Sequence, residues 1–176
     1  MLADYSGVVA PEENETTYRG NAHLKARAAS RLTGEWSLGD DSGLEVDALG
    51  GAPGLHSARY GGPGLDDAGR GALLLDALAD IPDDRRTARF RCVIAIVDPE
   101  GREWVVEGVA EGTITREPRG AGGFGYDPLF YYPPLGRTFA ELSDAEKSEI
   151  SHRGRAAAES RRVLTRADGR MVDSPR

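Results

Sequence analysis

The chain has 176 residues, 39 % of them hydrophobic, with 22 Lys and Arg against 29 Asp and Glu for a formal charge of −7. That is enough apolar residue for one compact domain or two lobes sharing a core, and too acidic a balance for broad binding along a nucleic-acid polymer. No window approaches the ~18 consecutive apolar residues of a membrane span, and the opening MLADYSGVVAPEE has neither a basic segment nor a long apolar run, so no signal peptide is expected.

Residues 1–16 are polar and irregular. Residues 17–33 read as a helix, with Ala22, Ala26 and Ala29 on one face, Lys25 beside it and Gly34 placed to end it. WSLGDDSGLEVDALGG reads as a short strand into Asp40, a tight turn, and a second strand alternating Leu44, Val46 and Ala48 with Glu45 and Asp47. Six glycines and two prolines in residues 50–64 make a loop that wraps something. Residues 65–80 form a second helix with Leu73, Leu74 and Leu78 inward. Residues 87–97 make a long strand, Asp98-Pro99-Glu100-Gly101 a turn, and residues 102–117 a returning strand. The single cysteine, Cys92, falls in FRCVIAIV and reads as a buried inert thiol, with no internal disulfide available. GAGGFGYDPLF is a second glycine-rich loop. Ser143-Asp144-Ala145-Glu146 is a capping box opening a helical stretch to about Ala167, broken near Ser151. The tail, 168–176, is expected to be disordered. Strands mixed with helices imply an α/β fold.

Asp40-Asp41-Ser42-Gly43 is the first candidate for chemistry. Side chains alternate along a strand, so the two carboxylates cannot both point into the core. One can take a hard cation while the other accepts a proton or orients its neighbour. By itself the string reads as an acidic surface turn. Lys25, Lys147 and Arg153 are candidate phosphate or base contacts, each also readable as a solvated charge. His152 and Arg153 place two donors side by side on a helix, an arrangement that can read an oxo group. Phe124-Gly125-Tyr126-Asp127 can offer an aromatic face to a nucleobase, or staple its own loop. No histidine pair has zinc-ligand spacing, and GGFG has neither Rossmann nor Walker spacing. Gly20-Asn21 with Lys25 imitates a phosphate turn, but falls inside the first helix.

The order and wording of three segments are specific: DDSGLEVDALGGAPGLHSARYGG, TREPRGAGGFGYDPLF and TFAELSDAEKSEISHRGRA. Together they resemble the inosine/xanthosine triphosphate pyrophosphatase family, over about residues 10 to 165. The resemblance implies Mg²⁺-dependent hydrolysis of dITP, ITP and XTP to the monophosphate and pyrophosphate. It implies a bent mixed sheet with flanking helices and two lobes around a nucleotide cleft, one ITPase-like domain over residues 1–176. It also implies a cytoplasmic homodimer that cleanses the nucleotide pool, with no nucleic-acid polymer and no membrane as partner. By the same likeness, Asp41 is the proton acceptor and a Mg²⁺ ligand, supported by Asp40, with a further acid from Glu12 or Glu13. Ser42 is a substrate contact, and Lys25 faces phosphate. Phe124, Gly125, Tyr126 and Asp127 form the base-binding loop, and Lys147, His152 and Arg153 favour a 6-oxo purine over adenine.

Two departures accompany the likeness. The family normally opens with a strand and a Thr/Ser-x-Asn-x-x-Lys phosphate loop, which this sequence lacks, and Gly20-Asn21-Ala22 stands where Glu-Asn-Ala is usual. The alternative expectation is therefore a catalytically weak or inactive nucleotide-binding homologue. A pyrophosphatase for modified pyrimidines or m⁷GTP is a further reading, which the SHR and FGYD elements oppose.

Overall fold

The computed structural model describes residues 11–167; the expected tail at 168–176 and the first ten residues lie outside the described residues. The α/β expectation holds. Helices flank a five-stranded sheet in the order β1-β2-β3-β4-β5, formed by β1 (Ser37–Val46), β2 (Thr87–Val97), β3 (Glu103–Ile114), β4 (Phe130–Tyr132) and β5 (Arg137–Thr138). The β2–β3 hairpin closes at Asp98–Gly101, where Gly101 donates its N–H to the Asp98 carbonyl at 3.0 Å. Antiparallel register pairs Thr113 with Tyr131 and Tyr131 with Thr138. Strands of two and three residues have no alternation to read, so β4 and β5 were not foreseen. The helices are α1 (Tyr18–Thr33), α2 (Asp67–Ala77), α3 (Asp144–Ile150) and α4 (His152–Ala167). Among the described residues, no helix is long and apolar enough to cross a membrane.

The chain divides into two compact units. Among the described residues, the first comprises 11–41, 92–108 and 156–167. Here α1 begins at Thr17, whose Oγ1 accepts the Gly20 N–H at 3.0 Å, and stops at Gly34, left-handed at φ 69°. Ala22 and Ala26 pack on Val93, Ala95 and Val97 of β2. Cys92, Ile94 and Ile96 pack with Val106 and with Ala156, Val163 and Leu164 of α4. A strand covered on both faces reads as an unbroken apolar run rather than an alternation, which is why FRCVIAIV looks as it does. Cys92 is buried within it, as expected.

The second unit comprises residues 42–91 and 109–155. Its core gathers Leu44, Val46, Leu74, Leu78, Phe90, Phe130 and Phe139. Asp66 caps α2 by accepting the Gly69 N–H at 2.8 Å. Gly71, Leu74 and Leu78 share the inward face, at i, i+3 and i+7. Leu73, expected inward, is turned away from that face and is 38 % exposed. The buried Arg86 was not foreseen: its guanidinium donates to the carbonyls of Leu78, Ile114 and Thr115 at 2.8, 3.0 and 2.9 Å. The Ser143–Glu146 capping box is present, and Ser151, extended at ψ 160°, separates α3 from α4.

The expected turn at Asp41–Gly43 is absent. Residues 37–46 form one continuous strand. The turn-prone composition of D-D-S-G is overridden by sheet pairing and by the apolar residues that follow it.

Candidate active site

Within the first unit, β1 sends Asp40 and Asp41 to opposite faces. Asp40 is exposed and Asp41 is 9 % exposed. Asp41 faces α1, where Asn21 and Lys25 lie four residues apart and therefore on one side of the helix. The Asn21 amide donates to Asp41 Oδ2 at 3.0 Å. Lys25 Nζ donates to Asp41 Oδ1 at 3.2 Å and to the Asp40 carbonyl at 2.8 Å, and pairs with Glu13 Oε1 at 2.7 Å. Burial alone would lower the Lys25 pKa, but Glu13 and Asp41 together raise it, so the ammonium is firmly charged.

This geometry needs a close approach of strand and helix. A Cβ on Gly39 would fall 2.5 Å from the Ala22 carbonyl oxygen and from the Ala26 nitrogen, and both are backbone atoms that cannot turn aside. At Gly20 a Cβ would meet a side chain instead, 2.8 Å from Glu15 Cβ and 2.9 Å from Glu15 Oε2. The Glu15 carboxylate thus lies beside the residue that departs from Glu-Asn-Ala, while the Glu15 N–H donates to Asn21 Oδ1 at 3.1 Å. Glu13 joins the Lys25 set; Glu12 is exposed and has no bond to it. Sequence reasoning discarded Asn21 with the false phosphate turn. The i, i+4 spacing of Asn21 and Lys25 was the signal that could have kept it.

Within the second unit, a pocket of about 160 Å³ is lined by Ser42, Phe90, Phe124, Tyr126, His152 and Arg153, among others. Arg153 Nη2 donates to Ser42 Oγ at 3.0 Å. The Phe124 ring is 58 % exposed, with the Lys147 ammonium 4.5 Å and the Arg153 guanidinium 5.3 Å from its centroid. The His152 ring stacks on Phe90 at 4.7 Å and 12°. Burial, then Arg153 and Lys147, push the His152 pKa down to about 3. The imidazole is neutral at pH 7, and its buried Nδ1 has no hydrogen-bond partner among the described residues.

The loop carrying Phe124 is framed by buried polar bonds. Asp127 accepts the Phe124 N–H at 2.8 Å and pairs with Lys147. Its carboxylate fills the space a Cβ on Gly123 would need, at φ 72°. The Gly125 N–H donates to Asp67 Oδ2 at 2.7 Å, and the Tyr126 hydroxyl to the Ser57 carbonyl at 3.0 Å. Burial raises the Tyr126 phenol to about 12, so it stays a donor. The glycine-rich loop at 50–64 folds back through Ser57, whose Oγ accepts the Leu44 N–H at 2.8 Å. An exposed aromatic face, a neutral imidazole and an arginine can hold a planar ring bearing oxo groups.

The sequence profile of the Ham1 family matches residues 1–163. The chain belongs to the Ham1 family. One Ham1 relative, the dITP/XTP pyrophosphatase of Desulforamulus reducens, is 53 % identical over 165 residues, spanning 94 % of this chain and 82 % of the relative. The dITP/XTP pyrophosphatase of Escherichia coli K12 is 51 % identical over 154 residues, spanning 85 % and 77 %. Among solved Ham1 structures, that of Staphylococcus aureus superposes with a TM-score of 0.88 at 38 % identity, covering 94 % of this chain and 85 % of that one. That of Coxiella burnetii gives 0.85 at 47 % identity, covering 90 % and 82 %.

Proposed function

We infer that the chain hydrolyses non-standard purine nucleoside triphosphates, dITP, ITP and XTP, to the monophosphate and pyrophosphate. The observation that carries this is the buried Asp41 carboxylate held by Asn21 and Lys25, in a chain about half identical to dITP/XTP pyrophosphatases. In this reading Asp41 accepts the proton of the water that attacks the α-phosphorus, and the α–β bridging oxygen leaves with pyrophosphate. Asn21 orients that carboxylate, and Lys25 offers its charge to phosphate oxygens. Phe124 gives the base a face. Tyr126, Asp127 and Lys147 hold the Gly125 loop beneath it, while His152, Arg153 and Ser42 supply the polar contacts that select an oxo purine over adenine. A donor meeting an oxo group rejects the amino analogue strongly, because the site's donor is then left unpaired.

The donor set suits Mg²⁺. Among the described residues, no group of three or more His, Cys, Asp or Glu forms a metal cage. Mg²⁺ does not need one, since it commonly takes one or two carboxylates and completes its shell with water and substrate phosphate. The hard oxygens now facing the Lys25 ammonium, from Asp41, Glu13 and the Asp40 carbonyl, are of that kind. When bound there, Mg²⁺ neutralises triphosphate charge and acidifies water. Glu12 is the weaker candidate, having no bond to this set. Nothing among the described residues favours the inactive alternative. The reading extends to a cytoplasmic homodimer, checked by light scattering and fractionation.

The test is pyrophosphate release from dITP, XTP and dATP with Mg²⁺, for the wild type and Asp41→Asn. Loss of about 10²–10⁴-fold is expected for removal of a general base. An Asp41→Asn enzyme as fast as the wild type would overturn the assignment.

A further inference from the structure

Arg70 has no part in the reading above, yet it lines the same pocket. It lies on the first turns of α2, with a side chain only 16 % exposed. Its Nε is buried and has no hydrogen-bond partner among the described residues. The nearest carboxylate, Asp67 Oδ1, stands 3.9 Å from Nη1, too far for a hydrogen bond. The other Asp67 oxygen is taken by the Gly125 N–H at 2.7 Å. Arg70 also lies close enough to Tyr126 for its charge to oppose the effect of burial on the phenol. A buried Nε–H without an acceptor is poorly satisfied by the protein alone. An acceptor on a molecule held in the pocket that Arg70 lines can complete it.

We propose that Arg70 reads the 2-position of the purine ring and makes xanthine the preferred base. This rests on the pocket being the base site. Hypoxanthine and xanthine share the 6-oxo group, so contacts to that group cannot separate them. They differ at C2, where hypoxanthine carries only hydrogen and xanthine a carbonyl acceptor. Guanine carries an amino donor there, which would face the guanidinium donor to donor. One arginine at this place therefore ranks the 6-oxo purines: xanthine first, hypoxanthine next, and the standard base guanine last. Of the other charged groups lining the pocket, Arg153 beside Ser42 already serves the 6-oxo contact, and Asp127 and Asp67 are bonded to Lys147 and Phe124 and to Gly125.

The test is kcat/KM for XTP, ITP and GTP with Mg²⁺, in the wild type, Arg70→Gln, Arg70→Met and Asp67→Asn. Calorimetry with XMP and IMP repeats the comparison without turnover. Loss of a charge-assisted bond predicts that both Arg70 variants lower the XTP/ITP ratio about tenfold or more. XTP turnover should fall more than ITP turnover, and GTP should gain on ITP. A ratio unchanged in both variants and in the monophosphate affinities would overturn the proposal. So would Asp67→Asn reproducing the ratio change, because Arg70 would then act through the Gly125 loop. Wild-type turnover with an unaltered ratio sinks only the role of Arg70, whereas a wild type that cleaves none of the three sinks the reading of the pocket as well.

Discussion

His152 makes the stability of this protein depend on pH in a window where most side chains are silent. Its pKa is about 3 in the folded chain and 6.5 as the ordinary value, with burial the main cause. The folded state thus holds the imidazole neutral, while the unfolded chain takes up a proton below pH 6.5. Stability from this group is fully present above that value. It falls as pH drops through the window down to about 3, because the unfolded state binds the extra proton. At pH 5.0 the gap from 6.5 is about 1.5 pK units, worth ~2 kcal/mol at 1.36 kcal/mol per unit. Carboxylates titrate mostly below this pH, and the pKa of His23, also lowered by burial, is common to both proteins compared. The assay is urea unfolding at pH 7.5 and 5.0 for the wild type and His152→Gln. The wild type should lose ~2 kcal/mol more than the variant between the two conditions. Equal losses would refute the reasoning, because the imidazole would then be protonated in the fold or reachable by water.

Three further outcomes are expected. Asn21→Ala removes the amide bond to Asp41 and should lower kcat about tenfold or more, with little change in nucleotide affinity; full kcat would mean that Lys25 alone holds the carboxylate. Lys147→Met leaves the buried Asp127 without its cation and should cost ~3–5 kcal/mol in urea unfolding. Asp127→Asn in that background should recover much of the loss, and no recovery would show that the pair is not coupled. Gly39→Ala forces α1 away from β1 and should cost ~1–3 kcal/mol or more while slowing turnover; a neutral result would deny the close approach.

The helices were legible because each carries its own punctuation. The Ala22, Ala26 and Ala29 face, Gly34 and the Ser143–Glu146 box are all local signals, and α1, α3 and α4 lie where those signals place them. Long apolar runs are legible too, as in β2. What was missed depends on neighbours. D-D-S-G has turn composition, and only pairing in a sheet makes it strand. Leu73 differs from Leu74 by one helical step, and the sequence does not say which of three consecutive leucines faces the core. Arg86 and Arg70 look like surface charges until carbonyls or a pocket wall surround them. In the site, Asp41, Lys25, Phe124 and His152 were named from motif wording. Asn21 was set aside, and Glu13 could not be told from Glu12, because segments without regular structure have no phase from which to infer direction.

Ser151 has a consequence for anyone who would rigidify this protein. It ends α3 by donating its N–H to the Lys147 carbonyl and starts α4 by accepting the Gly154 N–H at 3.1 Å. In one continuous helix, Lys147 and Arg153, six residues apart, would diverge by about 120° around the axis. The single extended residue resets that angle, so both cations meet over the Phe124 ring. Fusing the two helices would improve the local hydrogen-bond ladder while swinging one cation off the aromatic face. The joint is a site where a designer's idealisation and the meeting of two cations over one ring pull in opposite directions.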